Sequence, residues 1–143
     1  MIVLDTNVLS EVVRDAPSPA VLEWMRSVDE TTAVTSVSIA ELSYGIRRLP
    51  RGARRDGLID AVETALARHP ALVLDFDERA ARTYGFLRSE REAIGRPISV
   101  EDAMIAAICS CRGASLATRN TADFSDLGLH LIDPWSASPS LDG

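Results

Sequence analysis

Short apolar runs alternate along the chain with longer stretches in which apolar residues recur every three or four positions. The runs fall at residues 2–4, 33–36, 71–74, 115–118 and 129–132, each too brief for a helix and suited to a buried strand. Helical spacing covers residues 8–13, 20–28, 39–49, 58–67, 78–93 and 103–111. Strands alternating with helices predict an α/β domain on a mainly parallel sheet, joined by right-handed crossovers. Turn residues fall in the gaps: Pro17 and Pro19 precede the second helix, Pro50 and Gly52 separate the third from the fourth, and Gly95 with Pro97 ends the fifth. One domain is expected over residues 1–135, followed by a flexible Ser-rich tail at 136–143 that contains Pro139. Leu58, Ile59, Val62 and Leu66, and then Tyr84, Leu87 and Ile94, read as core-facing sides of the fourth and fifth helices.

This pattern gives four scattered acids a common address. A crossover helix runs antiparallel to its strands and so begins at their carboxyl edge, where open α/β sheets bind ligands. Asp5 closes the first strand, Glu41 lies in the first turn after the second, Asp102 opens the helix leading into the fourth, and Asp123 follows the fourth. Carboxylates gathered on one rim repel, by about 1 kcal/mol per exposed pair at 4 Å and several-fold more in a less polar cleft. A cation between them relieves that repulsion, and an all-oxygen set with room for water and phosphate suits Mg²⁺, with Mn²⁺ as a substitute. The competing reading is local. Asp5-Thr6-Asn7, and the boxes Ser38 to Glu41, Ser99 to Asp102 and Asn120 to Asp123, all have the composition of helix caps. Joint placement favours a site, as does a second row of small polar groups, Thr6, Asn7, Ser36, Thr118 and Asn120, expected at the same crevice.

Composition narrows the chemistry. All fifteen basic residues among the 143 are Arg, which removes a Walker A lysine, lysine Schiff bases and a receiver-domain lysine. The net charge of −6 argues against a protein that coats nucleic acid by bulk attraction, but not against a nuclease whose acids are offset locally. Arg47, Arg48, Arg51, Arg54 and Arg55 crowd one turn, where they read as a phosphate-contacting patch or as a solvated connection, and Arg14 and Arg119 fall nearer the crevice. Cys109 and Cys111, two apart, are expected to be reduced packing thiols. His69 reads as a helix end, and neither it nor His130 has metal spacing. Trp24, Trp135, Phe76, Phe86 and Phe124 are too scattered for a base-stacking platform and read as core or dimer surface. No apolar stretch reaches the roughly 20 residues of a membrane span, and no signal peptide precedes Asp5, so a cytoplasmic protein is expected.

Asp5-Thr6-Asn7, Ile39-Ala40-Glu41-Leu42, the run from Glu101 to Ala107, and the run from Thr118 to Phe124 together resemble the PIN domain, specifically the VapC-type toxin ribonucleases of bacterial toxin–antitoxin pairs. The resemblance spans Met1 to about Trp135. It implies a three-layer α/β/α sandwich with a five-stranded parallel sheet in the order 3-2-1-4-5, Mg²⁺-dependent endoribonuclease activity, homodimers, and inhibition by a small antitoxin whose tail enters the active-site groove. It also implies that Asp5 and Asp102 are metal ligands, with Glu41 holding the metal through water or orienting the nucleophile. Many relatives carry Asp where Asn120 stands; here either Asn120 orients a ligand or water while Asp123 completes the acidic ring, or Asp123 only caps its helix. Thr6, Asn7, Thr118, Arg119 and Asn120 are the expected substrate-binding residues.

The expected reaction is attack of a metal-activated water on an RNA phosphodiester, with Asp5, Glu41, Asp102 and Asp123 as catalytic residues. Three alternatives carry their own markers. A haloacid-dehalogenase-like phosphatase expects a second Asp where Asn7 stands and a distal Lys, and this chain has neither. A PIN nuclease of RNA processing or DNA flap cleavage shares the same acids. A catalytically silent binding module has no reason to keep Asp5, Glu41 and Asp102 together.

Overall fold

A computed structural model describes residues 1–68 and 72–136. The elements run β1 (Ile2–Leu4), α1 (Thr6–Val12), α2 (Pro19–Ser27), β2 (Thr32–Thr35), α3 (Ser36–Arg47), α4 (Ala53–Arg68), β3 (Leu72–Leu74), α5 (Glu78–Ala93), α6 (Val100–Arg112), β4 (Ser115–Ala117), a 3-10 turn (Thr121–Phe124) and β5 (Leu131–Ile132). The strands pair in the order β3-β2-β1-β4-β5, and each pairing is parallel. This is the expected α/β architecture with strand order 3-2-1-4-5. Of the remaining expectations, His69, the first residue of the 71–74 run, and the tail beyond Ser136 lie outside the described residues.

The two-residue period of a strand divides the core into two layers. Val3, which pairs with Ala33 and Leu116, joins them and Leu74 on the side of α5 and α6, against Leu87, Ile105, Ile108 and Phe124. Ile2, Leu4, Val34 and Ala117 face the other way, onto Val8 of α1 and Val21 of α2. Ala103, Ala106 and Ala107 are fully buried in α6, and side chains that small let it lie close to the sheet.

Helix starts differ from the periodicity because caps, not apolar residues, set them. The Asp5 side chain accepts from the Thr6 amide at 2.8 Å, so α1 begins directly at the strand end. Thr35 accepts from the Ser38 amide at 3.0 Å, which starts α3 at Ser36. The Ser38 box is therefore not a cap, and Glu41 stands in the second turn rather than the first. Ser99 does cap α6, accepting from the Asp102 amide at 3.2 Å. Asn120 precedes only a 3-10 turn and makes no side-chain cap bond.

The largest departure concerns the fourth helix. No residue of α4 is buried, so Leu58, Ile59, Val62 and Leu66 do not face a closed core. In and after α5, Leu87 is core, Tyr84 packs edge-on against Phe76 with ring centroids 5.9 Å apart, and Ile94 is exposed. Phe124 is core and Phe86 is exposed. Cys109 and Cys111 are free thiols, as expected. No helix among the described residues is long and apolar enough to cross a membrane.

Leu116, fully buried in a central strand, supports both the sheet and the residues that follow it. Leu116→Ala should destabilise the chain by about 3 kcal/mol, from lost transfer energy plus the residual cavity, read as a shift in the urea midpoint.

Candidate metal centre at the carboxyl edge of the sheet

Asp5 sits at the end of the central strand, almost completely buried. Its Oδ1 accepts from the Thr6 amide, and its Oδ2 accepts from the Thr118 hydroxyl at 2.7 Å. Thr118 follows the neighbouring strand β4 and also accepts from the Asn120 amide at 3.1 Å and from Asn7 Nδ2 at 3.4 Å. Asn7 in turn accepts from the Arg119 amide through its Oδ1, at 3.4 Å. These bonds join the start of α1 to the loop after β4, so the Asp5 carboxylate has one orientation.

Glu41 is held by a chain of hydroxyls. Thr6 Oγ1 lies 2.9 Å from Glu41 Oε1 and 2.9 Å from Ser38 Oγ, and Ser38 Oγ lies 3.3 Å from Thr35 Oγ1. Each hydroxyl has one proton to give and an ionised carboxylate can only accept. The consistent assignment is that Thr35 donates to Ser38, Ser38 to Thr6, and Thr6 to Glu41. Thr35 and Ser38 are fully buried, so water does not compete for the first two groups. Ser36, expected at the crevice, instead accepts from the Phe76 amide at 3.4 Å and ties down the loop after β3.

The acids feel one another. Burial raises the pKa of Asp5 above its ordinary value despite the Thr118 and Thr6 donors, and Asp123 adds to the rise. Glu41 is raised by burial, partly offset by Thr6, with repulsion from Asp5 and Glu101. Asp102 is pushed up to about 6, first by burial and then by Asp5, with Asp123 and Glu41 contributing. Asp5, Glu41, Asp102 and Asp123 are thus brought to one place. Among the described residues, no ion pair involves any of them.

The donor set fits a hard divalent cation. It consists of carboxylate oxygens without ion-pair partners among the described residues, with Asp5 and Glu41 held by neutral hydroxyls and an amide rather than by arginines. Among the described residues no group of three or more His, Cys, Asp or Glu side chains is arranged to hold a metal ion by itself. Mg²⁺ commonly keeps several waters and uses one or two carboxylates, so a pair of these acids could hold one without a three-residue cage.

Sequence reasoning passed over two groups that shape this rim. Glu11, buried on the same side of α1 as Val8, accepts from the Ser18 amide at 2.8 Å and from Arg14 Nη1 at 3.0 Å. The Ser18 amide, together with Arg14, holds its carboxyl below the ordinary range, outweighing burial. An acid three residues after a buried Val, ahead of a Pro-Ser-Pro turn, was the available signal. Arg91 is the second, and its isolated position in a charged helix offered no signal. Of the expected substrate-binding residues, Thr6, Asn7 and Thr118 direct polar groups at the rim itself. Arg119 is exposed, its guanidinium 5.0 Å from the centre of the Trp135 ring.

A five-stranded parallel α/β sheet with acids gathered past its carboxyl edge defines a nuclease-like class of domain. The chain matches the PIN domain over residues 2–128 and belongs to that family. It is 40% identical over 139 residues to the plasmid stability protein StbB of Pseudomonas syringae pv. tomato, spanning 96% of this chain and 100% of that one. It is 39% identical to the VapC ribonuclease Y4jK of Sinorhizobium fredii, across 94% of this chain and 98% of the relative. The toxin FitB of Neisseria gonorrhoeae is 33% identical, across 94% and 99% of the two chains. The crystal structure of FitAcB from that organism superposes with a TM-score of 0.87 at 32% identity, covering 96% of this chain and 100% of the other.

Crowding of the acids sets a pH dependence for the metal-free protein. The folded chain keeps the Asp102 proton up to about pH 6, whereas an unfolded chain releases it near 3.8. The folded state therefore binds more protons in that window, and stability falls as pH rises through it. Glu11 acts in the opposite sense and below its ordinary 4.5, outside most of that window. In chelator at pH 7, Asp102→Asn should stabilise the protein by about 1–2 kcal/mol after discounting for solvent screening and flatten the slope of Tm between pH 4.5 and 7. An unchanged Tm profile contradicts the crowding.

Proposed function

We propose that this chain is the toxin of a type II toxin–antitoxin pair, a Mg²⁺-dependent endoribonuclease acting in the cytoplasm. The observation that carries the reading is the rim of four carboxylates, with Asp5 and Glu41 oriented by hydroxyls and no ion pair to any of the four among the described residues. Relatives named as a VapC ribonuclease and as a toxin support the choice of RNA and of a toxin over other PIN nucleases.

Asp5 and Asp102 would hold the ion, with Mn²⁺ able to take its place. When bound, such an ion supplies a Lewis acid for a phosphoryl oxygen and lowers the pKa of a coordinated water. Glu41 has one oxygen fixed by Thr6, so its other oxygen is free to orient the attacking water and accept its proton. Attack in line forms the new P–O bond and breaks the P–O3′ bond, leaving a 5′-phosphate and a 3′-hydroxyl that takes up a proton. Asp123, with Asn120 next to it, would complete the rim around the ion. Exposed Arg119, next to Thr118, suits a phosphate contact with bidentate geometry, whereas Arg14 is paired with Glu11.

An antitoxin also has a place to bind. An apolar cavity of about 180 Å³ is lined by Leu9, Val13, Leu42, Ile46, Ile59 and Leu66 among others, so the α4 stripe that finds no core in its own chain faces this opening. An apolar segment of the antitoxin is the occupant that matches it. A homodimer is also proposed, with exposed Phe86 and Ile94 as candidates for its seam.

Asp5→Asn and Asp102→Asn should each lower RNA cleavage in Mg²⁺ by more than about a hundred-fold, the scale of losing an electrostatic group aimed at the reacting centre, with circular dichroism unchanged. Cleavage by folded Asp5→Asn at the parental rate sinks the assignment, and a chain that binds no Mg²⁺ or Mn²⁺ by calorimetry at millimolar ion is a binding module instead. Ile59→Asp should leave cleavage unchanged and abolish relief of growth arrest by the protein encoded next to this chain. Relief that survives the substitution removes the cavity from the inhibitor's footprint.

A further inference from the structure

Arg91 is 4% exposed and makes no ion pair among the described residues. A guanidinium in that position requires hydrogen-bond acceptors, because burying an unsatisfied charge is prohibitive. All its recorded partners are backbone carbonyls. Nε donates to the Arg96 carbonyl at 2.8 Å, and Nη1 donates to the carbonyls of Asp123 and Ser125, both at 2.9 Å. One side chain near the end of α5 therefore grips two other segments. The first is the loop that leads into Ser99 and Asp102 at the start of α6. The second is the turn Thr121–Phe124, held at Asp123 itself.

This turn needs such a grip. It is a 3-10 turn with no side-chain cap at Asn120, and the chain leaves it through Asp126 at φ 62, a conformation that costs energy for a residue other than glycine. Arg96 adds an exposed brace, with Nη1 on Asp126 at 2.6 Å and Nη2 on the Ala122 carbonyl at 3.5 Å. The buried contact is Arg91, whose planar fork of donors reaches several carbonyls at fixed angles, which a lysine cannot reproduce.

We infer that Arg91 is a positioning residue for the metal centre: by clamping the carbonyls of Asp123, Ser125 and Arg96, it sets where the Asp123 carboxylate stands relative to Asp102. The inference rests on reading the carboxylate rim as a metal centre. Arg91 touches neither metal nor substrate, so its effect passes through Asp123.

The test uses the full chain with Mn²⁺ alone as probe, in calorimetry on the parent, Arg91→Lys, Arg91→Met, Asp123→Asn and the double variant Arg91→Met/Asp123→Asn. Loss of the clamp should weaken Mn²⁺ affinity roughly ten-fold, the low end of what partners one step behind metal ligands command. Asp123→Asn should weaken it similarly, and the double variant no further, because both changes act through one group. Amide hydrogen exchange of residues 121–127 should quicken in Arg91→Lys while β1 and β4 keep parental protection. Arg91→Lys retains charge and part of the donor set, so it carries the test if Arg91→Met does not fold. Folded variants with parental Mn²⁺ affinity, or losses that multiply in the double variant, overturn the inference alone. A parent that binds no Mn²⁺ overturns the metal reading, and this inference with it.

Discussion

Repulsion among carboxylates at the carboxyl edge of a parallel sheet is the constraint around which this chain is organised. Crossover connections bring Asp5, Glu41, Asp102 and Asp123 there as a matter of topology. What keeps them usable is the choice of neutral donors. Thr118 and the Thr6 amide fix Asp5, and Thr6, backed by Ser38 and Thr35, fixes Glu41. An arginine in the same role would hold the geometry equally well but would cancel the charge that attracts a cation. The burial and crowding that raise Asp5 and Glu41, and take Asp102 to about 6, are the cost of that choice, and a cation among the acids would relieve it.

The two faces of the sheet serve this site differently. On one, α6 lies flat against β1 and β4 through alanines and isoleucines, and α5 packs over it. That layer carries Asp102 and, through Arg91, the Asp123 turn. On the other face α1 and α2 are anchored by Val8 and Val21, while α4 stands off around an apolar opening. On the proposed reading, Asp102 and Asp123 belong to the dense layer, Glu41 to α3, and the looser side is left for a partner.

Much of this was legible in the sequence, for reasons visible in particular residues. Ile2, Val3 and Leu4 are buried on both sides of the sheet, and a strand of that kind announces itself as an unbroken apolar run. The span of α5 follows from its Asp77 cap and the Gly95 turn, and observed and expected bounds coincide. Misplaced features depended on choices made by side chains at a distance. Whether Thr35 or Ser38 caps α3 turns on one hydroxyl bond, and it moves Glu41 by a turn. The α4 stripe has helical period whether its neighbour is a core or an opening, so periodicity could not separate the two. Arg91 looked like any other arginine of a charged helix, since a contact made only with backbone carbonyls leaves no complementary residue in the sequence.

One consequence concerns α4. A helix that buries no residue is secured by little besides its own backbone bonds and the edges of its neighbours, which places it at the low end of local stability. Proteases in the cell would reach the Arg-rich connection before it, at Arg47, Arg48, Arg51 and Arg54, all exposed, sooner than any part of the sheet. A partner seated against that helix would hold the connection more firmly and slow such cleavage.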